Sequence, residues 1–479
     1  MAAITQEKLV QLLKEEGPKG PGLANVDLHE MDLRGRDLSG LDFSGLDLTQ
    51  ANFTNAILRE ARFEEAGLGA ADFTGANLAR AILRKALVSD AIFQEADLSM
   101  ADFTGANLAR AILRKATVSG AIFKQAFLED ASFSNVDFRD TDLSGVALYA
   151  TDLQGANLEG KDLSGMDVRF ASFRDANLTR TVFTESRLEG ARFFSATLSG
   201  ATFKQADLTN ANFSNVDFRD VDITGAVFHG TVLHGANFAG KDLSAVDFAW
   251  TNFSKANLAG AVLSGVRLKL LGFSEADFSG ADLTGTSFLG TNFKGAVFNK
   301  TKLNQVNFGG DDLTEVTFNE VILQELNFSG AILRGARFQG ADLSRAFLIR
   351  ADLSKAFLSK ADLSGAILEE ADLHGADLSG ATLEGADLTN ARLNQANLSG
   401  AALSTADLSN ADLSNANLTK AILVRIENPG TRAERDFGAV LTNANLSGAD
   451  LSGAKVGDDQ LQQANSLNGA TLPDGTKHA

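Results

Sequence analysis

Between Leu23 and Leu423 every fifth residue is large and apolar, beginning Leu23, Leu28, Leu33, Leu38, Phe43, Leu48, Phe53. The register holds for 81 consecutive positions, of which 77 are Leu or Phe; the exceptions are Val88, Val118, Val168 and Ile223. A period of five fits neither the helical period of about 3.6 residues nor the strand period of two. A helix would carry these side chains round its whole circumference, and a long strand would send them alternately to opposite faces. The chain must therefore turn a corner within each unit. Each unit then directs one large and one small side chain inward. Self-similarity of this kind is the pattern of a stacked solenoid, in which each turn contacts only its neighbours.

Around each large residue, the centre, the unit reads A-(D/N)-(L/F)-(S/T)-G, as in ADLSG (361–365), ANLSG (396–400) and ADFTG (71–75). These units resemble the pentapeptide-repeat family over roughly 85% of the chain. The resemblance implies an all-β fold, a right-handed quadrilateral β-helix with four units per coil. Centre and Ala positions would point inward and the other three outward. It implies that residues twenty apart stack, so Phe53, Phe73 and Phe93 should form one column, with Phe213, Phe253 and Phe293 also in the core. Of the 34 Phe residues, 28 are centres, which agrees. About twenty coils at the inter-strand spacing of about 4.8 Å would make a rod about 95–100 Å long.

The chain has no Cys, which excludes disulfides, thiolate metal sites and Cys nucleophiles. The opening MAAITQEKLVQLLKEE carries charge throughout and lacks a signal-peptide core. No apolar run reaches membrane-spanning length. A cytoplasmic location without membrane contact is expected. The net charge of −18 opposes direct nucleic-acid binding.

Taken in order, residues 1–20 form a capping helix and linker. Thr5 is a candidate N-cap, Leu9, Leu12 and Leu13 form an apolar stripe, and Gly17, Pro18 and Gly20 break the helix. The expectation is a plug over the first coil; the alternative is a docking or dimerisation helix that makes a homodimer. Residues 21–423 are the uninterrupted repeat. Residues 424–440 (VRIENPGTRAERDFGAV) break the register and are expected to protrude as a loop. Arg432, Glu434 and Arg435 in that loop are candidate partner contacts, since loops on rigid scaffolds often carry function. Centres resume at Leu441, so 441–456 is expected to be the last coil and 457–479 a short capping helix with a tail. That tail resembles the ending of stand-alone repeat proteins and suggests a complete protein.

Two duplications mark the repeat. ADFTGANLARAILRKA occurs at 71–86 and 101–116, and FSNVDFRDTDLSG (133–145) recurs as FSNVDFRDVDITG (213–225). Growth by duplication explains both. Arg36, Lys161, Lys241 and Asp311 occupy inward Ala positions, where a charge must be paired or neutralised. The expectation is a local bulge, or an amine satisfied by backbone carbonyls, with an internal ion site as the alternative. Gly309-Gly310-Asp311-Asp312 suggests a bulge at that point.

No catalytic motif is present: there is no phosphate-binding Gly loop, nucleophile elbow or kinase signature. His229 and His234 fall on adjacent faces of one coil and are expected to be solvated rather than metal ligands. The chain is expected to be non-enzymatic, with no cofactor and no metal. Sorting positions modulo twenty places His229, Trp250, Leu270 and Leu289 outward on one face, with Phe170 and Tyr149 on the same face farther back. Exposed apolar residues of this kind can mark a partner site, although scattered surface apolars are common.

Two functions fit. One is a rigid scaffold or protein–protein interaction rod with a protein partner. The other is an acidic DNA mimic that inhibits DNA gyrase or a related topoisomerase and protects it from quinolones, as some members of the resembled family do. Asp and Glu against Lys and Arg sum to −8, −2, −1 and −4 on the four faces, and Arg110, Arg267, Lys269 and Arg350 dilute the most acidic one. A dedicated mimic should carry a denser stripe, so the scaffold is favoured.

Overall fold

The computed structural model describes residues 4–20, 23, 26–269, 271–424 and 438–479, apart from the side chains of Lys269 and Leu289. The chain divides into two compact units, residues 1–233 with 246–248, and residues 234–245 with 249–479.

The same local geometry builds both. In each five-residue unit the residue before the centre makes a parallel rung with the residue twenty later, as in Asp32↔Asn52, Asn52↔Asp72 and Asp342↔Asp362. The chain thus returns over itself after four units. Around Phe53, the Asp72 carbonyl accepts from Phe53 N–H, and Ala56 N–H donates to the Phe53 carbonyl across a tight turn. Asn55, the third residue of that turn, has φ 57, the left-handed region that a type II turn requires there. Gly is therefore favoured at this position, but Asn, Glu, Lys and even Phe170 occupy it.

The polar residue before the centre fixes the corner. Asn52 Oδ1 accepts from the backbone N–H of Thr54 at 3.0 Å and from its hydroxyl at 2.6 Å. This local bond explains the D/N-x-S/T spacing of the unit. The hydroxyls of Ser164 and Ser244 hold Asp162 and Asp242 below the usual carboxylate range in the same way. Asn residues also bond along the stack, as Asn177 Nδ2 does to Asn157 Oδ1 at 3.0 Å.

In the first unit the centres fill the interior. Phe53 and Phe73 stack with centroids 4.7 Å apart, Phe73 and Phe93 at 4.8 Å, and Phe193 and Phe213 at 4.4 Å. Centres ten apart meet edge to face, as Phe53 and Phe63 do at 5.9 Å. The same arrangement recurs in the second unit, where Phe273 stacks on Phe253 at 5.0 Å and on Phe293 at 5.6 Å. All six expected core phenylalanines are buried. Helix α1, Gln6–Glu15, is capped by Thr5 and buries Leu9, Leu12 and Leu13.

Hydroxyls at several inward Ala positions keep a partner, although the buried Thr291 hydroxyl has none. Thr141, Thr151, Thr181 and Ser186 each donate to the centre carbonyl 23 residues earlier, at Val118, Leu128, Leu158 and Leu163. The inward charges behave individually. Lys161 Nζ donates to the Thr141 carbonyl at 2.7 Å, and burial lowers its pKa. Arg36 is a correction: it is exposed and reaches α1, donating to Gln6 Oε1 and Glu7 Oε1. Asp311 is a second correction. It is buried without a bulge, because the Asn292↔Asp312 rung and the Asp311 N–H bond to Phe308 both persist. Lys241 keeps the ordinary turn bond from its N–H to Phe238.

The second unit holds strands β1, Arg267–Lys269, and β2, Ser287–Leu289, paired parallel as Arg267↔Ser287, Leu268↔Phe288 and Lys269↔Leu289. Beyond residue 424 the rungs lengthen to 33 residues: Asp407↔Val440, Asp412↔Asn445, Asn417↔Asp450 and Ile422↔Lys455. The excess over twenty is thirteen, the length of the stretch 425–437 outside the described residues. The register therefore resumes intact. Helix α2, Asp458–Leu461, follows, and its Gln460 Nε2 donates to the carbonyls of Leu423 and Ala439, on either side of the insertion. The expected last coil at 441–456 is not the end of the ladder, since Ser466 and Thr471 pair with Asn445 and Asp450.

Candidate functional site

Phe170 sits at the last position of its unit with φ 59, an unusual conformation for a bulky residue. Its side chain leans over the next coil, where Gly190 leaves room: a Cβ there would lie 2.6 Å from Phe170 Cδ1. On the preceding coil Tyr149 meets Phe170 edge to face at 5.6 Å. The guanidinium of Arg169 lies 5.4 Å from the centroid of the Tyr149 ring and grips Asp167 with two bonds of 2.8 and 2.6 Å. That fork holds the Asp167 carboxyl below its usual range and raises Arg169. Phe170 nonetheless keeps 48% of its surface exposed.

Beside this aromatic pair runs a row of consecutive rungs, Asp152↔Ser172, Ser172↔Arg192 and Arg192↔Asn212. Ser172 is the smallest residue of the row. Around it opens a cleft of about 490 Å³, bordered by Phe170, Arg174, Arg192 and Phe194. Asp152 is committed, accepting from the hydroxyls of Ser132 and Ser134 at 3.2 and 2.7 Å. Arg174 lies 5.1 Å from the Phe194 ring centroid and 3.5 Å from Asp175. Arg192 is exposed and has no ion-pair partner among the described residues. The cleft thus combines two partly exposed rings with an uncommitted cation.

Of the residues expected to form one patch, Phe170 and His229 belong to the first unit and Trp250 to the second. His229 Nε2 is 2.7 Å from an Asp247 carboxylate oxygen, and His234 Nδ1 is 2.8 Å from Ser254 Oγ. Trp250 is 66% exposed. Leu270, Arg432, Glu434 and Arg435 lie outside the described residues, and Leu289 is described only by its backbone. Sequence reasoning missed Arg174, Arg192 and Phe194. The signal for Phe194 was the pair Phe193-Phe194, in which only the first is a centre. Among the described residues no group of three or more His, Asp or Glu could hold a metal, and no helix is long and apolar enough to cross a membrane.

The geometry is that of a β-helical repeat protein, and comparison with known families agrees. The profile described as Pentapeptide repeats (8 copies) matches residues 27–64 and 71–109, continuous coverage from 111 to 269, then 273–310, 312–348, 348–385, 386–423 and 438–456. The chain belongs to the pentapeptide-repeat family. No curated protein sequence matches it. Among solved structures it is similar to HetL, a pentapeptide repeat protein involved in heterocyst differentiation regulation from the cyanobacterium Nostoc sp. strain PCC 7120. That match has 24% identity over 67% of this chain and 93% of the other, with a TM-score of 0.16. QnrB1, a plasmid-mediated fluoroquinolone resistance protein, is 22% identical over 41% of this chain and 91% of its own, with a TM-score of 0.21. A pentapeptide repeat protein of the Arabidopsis thaliana thylakoid lumen is 36% identical over 28% and 79% of the two chains, with a TM-score of 0.13.

Proposed function

We propose that this chain is a non-enzymatic, right-handed quadrilateral β-helix with helical caps, which acts in the cytoplasm as a scaffold for a protein partner. The observation that carries this reading is Phe170. An aromatic ring is held half-exposed in a strained backbone conformation, over a glycine that makes room for it, on a core that is otherwise filled. Exposed apolar surface on a rigid support is suited to partner docking. Trp250 offers a second such side chain in the other unit. The test is a photo-crosslinking residue at position 170 of the full-length protein in its native cells, with Phe170→Ala as a competitor. One saturable protein adduct that unlabelled wild-type protein competes away, and Phe170→Ala does not, is expected. Adducts that both proteins compete equally would overturn the reading.

A second reading is the acidic DNA mimic, favoured by the net charge of −18. The ion pairs along the stack weigh against it. Arg110 pairs with Asp90, Lys115 with Glu95, Arg345 with Glu325 and Arg350 with Glu370, each across twenty residues. They divide the carboxylates into a mosaic. A gyrase supercoiling titration decides: inhibition near stoichiometry would make the mimic the leading reading.

A further inference from the structure

We infer that the cleft over Ser172 is a docking site for an acidic, aromatic peptide segment of the partner, one carrying a carboxylate beside a Phe, Tyr or Trp side chain. The inference rests on the interaction-scaffold reading and adds the chemistry of the partner.

The cleft is selective by charge. It holds two guanidiniums, Arg174 and Arg192, and one carboxylate, Asp152, among its borders. Asp152 already accepts two serine hydroxyls and the Gln154 N–H, which occupy three of its about four lone-pair sites. Arg174 shares its charge between Asp175 and the Phe194 ring. That leaves Arg192 as the cation without a counter-charge. A planar guanidinium at an exposed edge suits a carboxylate, which it can grip with two parallel bonds.

The cleft is also selective by shape. Phe170 and Phe194 both line the cleft, together with the small Ser172. Neighbouring rungs are about 4.8 Å apart, so the backbones of Asp152 and Arg192, two rungs apart, lie about 10 Å from each other, with only the small Ser172 side chain between them. A ring can enter that gap and contact the faces of Phe170 and Phe194 while its neighbouring carboxylate meets Arg192. Desolvated aromatic and arginine contacts of this kind dominate interface energies.

A nucleotide also combines a ring with negative charge, but the site lacks a phosphate cradle. The neighbouring backbone N–H groups of Ser172, Phe173, Arg192 and Phe193 are all consumed by the ladder.

The test is fluorescence anisotropy with the full-length protein and four labelled short peptides that differ only at a central triplet: Glu-Phe-Glu, Gln-Phe-Gln, Lys-Phe-Lys and Glu-Ala-Glu. A labelled single-stranded oligonucleotide is the fifth probe. Saturable one-to-one binding of Glu-Phe-Glu is expected, with Gln-Phe-Gln and Glu-Ala-Glu each about tenfold weaker. Arg192→Glu and Phe170→Ala should each weaken Glu-Phe-Glu about tenfold while leaving the thermal midpoint unchanged, because both side chains are exposed. Preference for Lys-Phe-Lys, preference for the oligonucleotide, no binding of Glu-Phe-Glu, or indifference to Arg192→Glu would each overturn the proposal. A specific adduct at position 170 that survives Arg192→Glu would overturn this proposal and leave the scaffold reading standing; loss of specific adducts altogether would remove both.

Discussion

The ring of Phe170 occupies the space that a side chain at Gly190 would fill, with Phe170 Cδ1 only 2.6 Å from where a Cβ would sit. The two residues are one coil apart in the same column, so the absence of one side chain positions the other. Gly190→Ala should therefore act on the proposed docking surface and on the backbone together. Gly190 has φ 69, and the added Cβ would cost about 1–2 kcal/mol through the left-handed conformation alone. The Phe170 ring would have to swing outward, away from Tyr149. The expected result is a lower thermal midpoint together with a shifted ring resonance for Tyr149, the only Tyr in the chain. A lower midpoint with an unmoved Tyr149 signal would show that the ring does not depend on Gly190.

Asp311 should make stability depend on pH. Burial pushes its carboxyl up from 3.8 to about 6, opposed only in part by the N–H groups of Thr291 and Gly290. One oxygen accepts from Thr291 N–H at 2.9 Å and the other has no partner, as suits a neutral acid. The folded state thus binds this proton more tightly than the unfolded chain. Its cost is absent below about pH 4, grows as pH rises, and is complete above about pH 6. The full cost is about 3 kcal/mol. Asp311→Ala restores the usual small inward residue, so it should raise the denaturation midpoint at pH 8 and change it little at pH 4. Equal effects at both pH values would contradict a buried, titrating carboxyl.

Phe213→Asp tests the stacked core. Phe213 is fully buried and lies 4.4 Å from the Phe193 ring centroid and 5.6 Å from that of Phe203. The substitution removes these contacts and buries a carboxylate with no cation beside it. Losing the ring alone costs about 3–5 kcal/mol, and the unpaired charge adds to it. Soluble expression should fall sharply, whereas Phe213→Leu, which inserts the other usual centre residue, should be tolerated. A soluble Phe213→Asp protein with an unchanged midpoint would contradict the packing.

The period of five showed that each centre between Leu23 and Leu423 is inward, and the family resemblance, with its four units per coil, placed Phe53 over Phe73, because one register governs every coil. What it could not give were features set by residues far apart in sequence or by the size of a neighbour. Arg36 looked buried because its position is inward, but a long side chain at the first coils can turn out to α1, 29 and 30 residues away. Asp311 sits beside two glycines, which suggested a bulge; the ladder bonds on either side were strong enough to keep the register and accept a buried acid instead. The Ser172 cleft escaped notice because nothing about Ser172 itself is unusual. The cleft exists because large residues surround a small one on neighbouring coils. Phe170, in contrast, was legible, since its place in the unit is outward.

Gln460 closes the base of the insertion, and its removal gives a local prediction. The step of eighteen residues from Leu423 to Leu441 looked like lost register, yet it is one ordinary unit plus thirteen residues. Both ends of the insertion must then meet at one point of the stack. The backbone supplies one tie there, Ala439 N–H to the Leu423 carbonyl at 2.7 Å. Gln460 adds two more from its buried amide, at 3.1 Å to Leu423 and 2.8 Å to Ala439, while its Oε1 accepts from Gly457 N–H at 2.8 Å. Gln460→Leu keeps the volume but leaves those groups short of partners, at a cost of about 1–3 kcal/mol. Because each coil contacts only its neighbours, the loss should stay local. Hydrogen exchange at Ala439 and Val440 should accelerate, while the amides of Phe53 and Phe73 keep their protection. Unchanged exchange at Ala439 would show that the backbone tie alone holds the two ends together.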